Sequence, residues 1–177
     1  YRAAAETLAD ELRRRRVALV YGGGDIGLMG VMADRLLASG GEVFGVIPRC
    51  LVDKEVAHHG VTRLHVVDSM HARKALMADL SDAFVAIPGG FGTLEELFEV
   101  VTWRQLAIHS KPCGLLNTAG YFDDLLRFLD RAVEDDFIRG EHLGQLVVDD
   151  DPSRLLDRLA AADDSAPIRP AIPATAR

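Results

Sequence analysis

Apolar residues in this chain follow two alternating rhythms: short β-rich runs, and longer stretches in which an apolar position recurs every third or fourth residue. The first rhythm fits strands buried on both faces, the second fits helices that cover them. The pattern predicts helices over 3–15, 28–39, 70–80, 93–109, 121–134 and 152–161. It predicts strands over 17–21, 42–47, 63–67, 83–87, 113–117 and 145–148. Strand and helix in alternation argue for an α/β chain of Rossmann-like type, a doubly wound parallel sheet flanked by helices. A single domain over 1–161 is expected. From 162 to 177 the chain turns to Ala, Pro, Asp and Ser without apolar periodicity, which predicts a disordered tail.

In a parallel sheet the strand-to-helix junctions share the edge at the strands' carboxyl ends, where α/β proteins bind ligands. The unusual residues of this chain gather at those junctions: Gly22, Gly23 and Gly24; then Pro48, Arg49 and Glu55; then Asp68 to Lys74; then Pro88 to Glu96. They are expected to line one cleft. The last group, Pro88-Gly89-Gly90-Phe91-Gly92-Thr93-Leu94-Glu95-Glu96, is the most informative. Glycines at a helix start let an anion approach the backbone, and the first turn offers unpaired N–H groups and the positive end of the dipole. Gly89, Gly90, Gly92 and Thr93 are therefore candidate phosphate ligands.

Two readings of Glu96 stand side by side. Thr93 to Glu96 matches a capping box, with Thr93 as the cap and Glu96 reaching back to it. Three glycines and a proline ahead of the pair favour a ligand instead, and a carboxylate near a helix N-terminus stays ionised, ready to face a cationic transition state. Arg73 and Lys74 sit early in the helix over 70–80, where the dipole disfavours cations, and so point to an anionic partner. Arg73 shares a face with Met70 and Met77 and could hold a phosphate or a planar ring; for Lys74 plain solvation is the competing reading.

Gly22-Gly23-Gly24-Asp25-Ile26-Gly27 formally fits the dinucleotide fingerprint, but the next strand ends in Pro48-Arg49 where an acidic ribose ligand belongs; that leaves only an NADP-like variant open, and a smaller sugar phosphate is the preferred ligand. The six histidines show no metal-binding spacing, and Lys54, Lys74 and Lys111 carry no recognisable pyridoxal phosphate motif; no metal and no cofactor are expected. A net charge of −7 disfavours nucleic-acid binding, and the run Arg13 to Arg16 reads as a solvated helix end. Cys50 and Cys113 have neither metal nor redox spacing and read as buried reduced thiols, which fits the cytoplasm. No apolar run approaches the roughly 18 residues of a membrane span.

The helix over 93–109 carries two apolar stripes. Leu94, Leu97, Phe98, Val101 and Ile108 should pack on the sheet, while Val100, Trp103 and Ala107 should meet either a neighbouring helix or a second subunit. A homodimer is the expectation, with Glu99, Thr102 and Arg104 near its interface.

These residues resemble the LONELY GUY family of cytokinin riboside 5'-monophosphate phosphoribohydrolases. Its signature PGGxGTxxE matches Pro88 to Glu96 at every fixed position. The likeness extends through Gly22 to Gly24, Gly27 to Gly30, Gly45 to Pro48, Met70 to Lys74, Ser81 to Phe84, Thr102-Trp103, Lys111-Pro112 and Gly120-Tyr121. Asp25 stands where relatives often carry a small polar residue. Members usually begin with a further strand and a Gly-Ser-rich loop, and the chain opens at Tyr1 directly in a helical pattern, so residues ahead of Tyr1 are expected. The resemblance implies hydrolysis of the N-glycosidic bond of an N6-modified adenosine 5'-monophosphate to free base and ribose 5-phosphate. It implies Arg73 and Glu96 as catalytic residues, and contacts to a nucleoside 5'-monophosphate from Glu55, Lys74, Gly89, Gly90, Phe91, Gly92, Thr93, Leu94, Glu95 and Thr102. A non-catalytic nucleotide-binding or carrier protein on the same fold is the competing class.

Overall fold

A computed structural model describes residues 1–52 and 57–162. Its elements run α1 (Arg2–Arg15), β1 (Leu19–Tyr21), α2 (Gly27–Ala38), β2 (Val43–Pro48), α3 (Arg49–Val52), β3 (Arg63–Val67), α4 (Met70–Leu80) and β4 (Phe84–Ala86). There follow α5 (Phe91–Gln105), β5 (Cys113–Leu116), a 3₁₀ turn (Thr118–Gly120), α6 (Asp123–Glu134), α7 (Gly140–Leu143), β6 (Leu146–Asp149) and α8 (Pro152–Ala162). The α/β class with parallel sheets flanked by helices is as expected, and β3 and α4 coincide with the predicted bounds. Glu55 and Lys54, and the proposed tail beyond Ala162, lie outside the described residues.

The strands form two three-stranded parallel sheets, and the packing divides into two compact units. The first comprises Tyr1–Asp82 with Asp150–Ser153; the second comprises Ala83–Asp149 with the chain from Arg154 onward. In the first, strand order is β1-β2-β3, with Tyr21 opposite Gly45 and Pro48 opposite Val67, so the three strands end on one edge. Helix α1 buries Ala5, Leu8, Ala9 and Leu12, the i, i+3, i+4, i+7 stripe of an amphipathic helix, and α2 buries Met32, Ala33 and Leu36. Val43, Val46 and Ile47 of β2 are fully buried.

In the second unit the order is β4-β5-β6, with Phe84 opposite Cys113 and Cys113 opposite Leu146. Leu97 of α5, Leu115 of β5 and Phe122 form its core, and Leu94, Val101, Leu125 and Leu126 pack against them. Gly114 of β5 lets α8 come close: a methyl group there would lie 3.1 Å from both Leu155 and Leu159. At the end of α5, His109 accepts from the Lys111 N–H at Nδ1 (3.1 Å), so its Nε2–H donates to the Val100 carbonyl (3.0 Å). Its ring lies tilted against Phe84, and burial lowers its pKa, which keeps this tautomer neutral.

Several sequence expectations change here. Helix α5 stops at Gln105, where Ala107 turns left-handed at φ 57°, so Ile108 lies beyond it and is 64% exposed; Phe98 is 39% exposed and does not join the core. Arg104 is anchored within its own unit, buried and donating to the Lys111 carbonyl at 2.9 Å, which leaves the expected interface untouched. Of the two thiols expected to be buried, Cys113 is, and burial pushes its pKa up to about 11; Cys50 is exposed. The short α3 and α7 fall below the length that periodicity resolves.

The basic run is partly structural. Glu11 accepts from Arg14 (Nη2 at 2.6 Å) and Arg15 (3.3 Å), while Arg15 also reaches the Ser153 carbonyl and hydroxyl, each at 3.0 Å. The Arg14 hydrogen bond, more than those of Ser153 and Arg15, holds the Glu11 carboxyl at about 2, below its ordinary 4.5. A depressed acid stabilises the fold above its unfolded pKa and loses that contribution as the pH falls toward the folded value. Glu11→Gln should therefore cost about 1 kcal/mol near neutral pH, a figure limited by the exposure of Arg14. Urea titrations should show the gap from wild type closing as the pH falls from 4.5 toward 2; a gap independent of pH would assign the loss to packing.

Candidate functional site

At the carboxyl edge of the first unit, β1 ends in Gly22-Gly23-Gly24. Gly23 needs its lack of a side chain because it turns left-handed, at φ +80°, against Ile47 and Leu64. The loop is tied down from the far side: Gly24 bridges Ala57, and the His58 N–H donates to the Gly23 carbonyl at 3.0 Å. His58 is itself fixed, accepting from Gly60 N–H at Nδ1 (3.2 Å) and so donating from Nε2 to Asp34 (2.9 Å). It works as a structural clamp.

Helix α4 starts at the same edge, and Ser69 caps it by accepting from the Ala72 N–H at 3.1 Å. Arg73, in the second turn, is 8% exposed; its Nη1 donates to the Met70 sulfur at 3.8 Å. Gly22 is the floor on which this guanidinium rests, because a Cβ there would occupy the position of Nη2. The fold thus brings together two sequence-predicted residues, Gly22 and Arg73, that lie far apart in the chain. Lys74, next to Arg73, is half-buried.

In the second unit the decisive junction joins β4 to α5. The helix starts earlier than the capping-box reading requires: Gly90 is its N-cap, and the Leu94 N–H bonds to the Gly90 carbonyl at 3.2 Å. Thr93 is the third helical residue, no side chain caps the helix, and Glu96 lies in the second turn, half-buried. The capping-box reading is overturned. Glycine at the cap needs no side-chain partner to adopt the entry conformation, so the N–H groups of Phe91, Gly92 and Thr93, which lack helical acceptors, face outward. A Cβ at Gly90 or Gly92 would meet nothing within 4 Å, whereas one at Gly89 would strike the Thr93 hydroxyl. The loop is open on one side and packed on the other.

Around this junction, Phe91 is 92% exposed, Gly92 and Glu95 are exposed, and the Leu94 side chain is turned into the core. Only the backbone of Leu94 could serve a ligand at the loop. Thr102 is exposed on the same helix about 13 Å from Thr93 at 1.5 Å per residue, so α5 does not bring those two together. One residue carries more than its sequence signal suggested: the Tyr121 hydroxyl donates to the Gly89 carbonyl at 2.6 Å. Tyr121 entered the sequence reading only as part of a Gly120-Tyr121 likeness, since its partner lies 32 residues away. Among the described residues no group of three His, Cys, Asp or Glu could hold a metal ion, and no helix is long and apolar enough to cross a membrane.

Parallel strands that end in glycine loops, one flooring a buried arginine and another opening a helix N-terminus, define a Rossmann-like α/β protein. Comparison with known proteins makes this specific. The family model described as "Possible lysine decarboxylase" matches residues 29–159. A rice protein (Oryza sativa subsp. japonica) named "Probable cytokinin riboside 5'-monophosphate phosphoribohydrolase" is 54% identical over 159 residues, 90% of this chain and 70% of its own length. A cytokinin riboside 5'-monophosphate phosphoribohydrolase of Arabidopsis thaliana is 50% identical over 161 residues, 91% of this chain and 71% of its own. The chain belongs to this LONELY GUY family. The molybdenum cofactor carrier protein of Chlamydomonas reinhardtii shares its fold, with a TM-score of 0.67 at 21% identity over 91% of this chain and 86% of that one. The molybdenum cofactor binding protein of Rippkaea orientalis does so too, at 0.64 and 19% over 90% and 86%.

The Gly22 floor has a direct test. In Gly22→Ala the added methyl should evict the Arg73 guanidinium, whose flexible end can move, at a stability cost of about 1 kcal/mol. Peptide mapping after phenylglyoxal treatment should show Arg73 labelled several-fold faster than in wild type. Labelling at the wild-type rate would show that Gly22 does not seat it.

Proposed function

We propose that the protein hydrolyses the N-glycosidic bond of an N6-modified adenosine 5'-monophosphate, releasing the free base and ribose 5-phosphate, the step that activates a cytokinin. The observation that carries the reading is the start of α5, where a Cβ at Gly90 or Gly92 would meet nothing within 4 Å, the first-turn N–H groups have no helical acceptor, and Glu96 follows one turn later. Identity of 50% and above to phosphoribohydrolases over about nine-tenths of the chain supports the same reaction.

In this reading the glycine loop, with Gly89, Gly90, Gly92 and Thr93, holds the 5'-phosphate, and that remote binding positions the sugar. The bond from C1' to the purine nitrogen breaks with its electron pair leaving on the base, and the sugar passes through an oxocarbenium-like state. The Glu96 carboxylate stabilises that positive charge and orients the water that adds to C1'. Arg73 either neutralises the departing purine or holds the phosphate; Lys74, Glu55, Glu95, Thr102 and the Phe91 and Leu94 backbone complete the substrate contacts. A simple phosphate carrier has no use for the Glu96 carboxylate, which would repel its ligand, and this separates the hydrolase from the carrier class. We also propose a cytoplasmic homodimer. Exposed Phe98, Leu106 (59%) and Ile108 on and after α5 supply apolar surface for a second copy.

Incubation with N6-isopentenyl-AMP, AMP, the matching riboside and lysine should yield free base from the nucleotides, and intact nucleotides after long incubation would refute the assignment. Glu96→Gln should lower kcat by about 10²-fold or more while AMP binding and the unfolding midpoint stay near wild type. Loss of stability with turnover per folded molecule unchanged would make Glu96 a structural residue.

A further inference from the structure

The glycine loop carries a mechanical weakness that its chemistry requires. The peptide plane between Gly89 and Gly90 has a glycine on each side, so no Cβ opposes its rotation, and carbonyl-in and carbonyl-out orientations are both sterically open. Because the peptide is trans, the Gly89 carbonyl and the Gly90 N–H point in opposite directions. Whatever fixes the carbonyl therefore also aims the N–H that precedes the helix. The Tyr121 hydroxyl, donating to that carbonyl at 2.6 Å, sets this orientation.

Tyr121 is held to the task by its surroundings. Its ring stands edge-on to Phe122 at 5.0 Å between centroids and an interplanar angle of 87°, and Phe122 is fully buried in the core with Leu97 of α5 and Leu115. The Phe122 N–H donates to Asn117 Oδ1 at 2.7 Å, and Asn117 Nδ2 donates to Asp123 at 2.8 Å. Between them the chain passes through two left-handed residues, Ala119 at φ 56° and Gly120 at φ 69°. A left-handed alanine is a conformation that surrounding structure must enforce. Here the enforced turn delivers the phenol to the glycine loop.

We propose that Tyr121 is a positioning residue: it locks the Gly89–Gly90 peptide so that the Gly90 N–H joins the N–H groups at the start of α5 in binding the 5'-phosphate. The inference rests on the reading of that helix start as the phosphate cradle. The phenol bonds the loop through the Gly89 carbonyl. Its effect belongs to the phosphate end of the ligand, and the nucleoside end is untouched.

The test compares AMP with adenosine, by calorimetry or by competitive inhibition, on wild type, Tyr121→Phe and Tyr121→Leu. The assays run at a temperature where all three give the wild-type circular dichroism. Losing one aimed donor to a charged group should weaken AMP about 10-fold and leave adenosine unchanged, so the AMP-to-adenosine affinity ratio falls by the same factor in both variants. A ratio that stays at the wild-type value in Tyr121→Phe overturns the proposal while leaving the hydrolase reading intact. So does a fall confined to Tyr121→Leu, which would assign the effect to ring packing, or a Tyr121→Phe chain that does not fold at any temperature tried. If wild type itself neither binds AMP more tightly than adenosine nor cleaves it, the phosphate cradle is what fails, and the lock fails with it.

Discussion

The hydrogen bond from the Leu94 N–H to the Gly90 carbonyl decides where α5 begins, and the geometry of the loop follows from it. With Gly90 as cap, three N–H groups precede the first helical bond without acceptors of their own, and they sit where the dipole is most positive. The same start places Thr93 inside the helix, with its hydroxyl against Gly89, and moves Glu96 into the second turn, clear of the cap. Beginning three residues later would have consumed Thr93 and Glu96 in capping. A glycine cap gives up that side-chain bond, worth about 1 kcal/mol in an ordinary helix, and keeps both groups out of the cap.

The first unit solves a different problem, the burial of a cation. Removing a guanidinium from water costs several kcal/mol unless polar groups replace the solvent. Arg73 accepts that burial next to the end of β1, where only glycine at position 22 leaves room for it. Methionine sulfur on the same helix face contributes a soft, weak acceptor. A cation held in this way keeps one orientation, with little side-chain freedom left to lose. The clamp of His58 on the glycine loop serves the same end from the other side.

Much of this was legible in the sequence because a parallel α/β fold writes its elements as clean changes of period. Strand β3 and helix α4 could be read to the residue, and the glycines fell at the strand-to-helix junctions as expected. What the sequence hid were long-range facts. Gly22 and Arg73 are joined by packing, and Tyr121 meets Gly89 across 32 residues, contacts for which local pattern carries no signal. The start of α5 was misread because Thr93 and Glu96 have the spacing of a capping box, and local chemistry cannot tell that a preceding glycine has already taken the cap. Phe98 and Ile108 fit the period of a core face, yet the left-handed turn at Ala107 ends the helix first. Cys50 looked buried because it follows the most apolar strand, but it stands on the short α3 outside that strand.

The family model's description as a lysine decarboxylase and the relatives' names as nucleotide hydrolases make opposite demands on charge. Free lysine carries two ammonium groups and one carboxylate, so a lysine site needs more negative groups than positive ones around it. The glycine edges of this chain offer the reverse: a buried guanidinium in one unit and a helix N-terminus lined by glycine in the other. Local potential, more than net charge, decides which ligand enters a cleft. At the start of α5 the acidic residues Glu95 and Glu96 come only after the glycine-lined first turn, so the N–H groups of that turn lie ahead of the carboxylates along the helix.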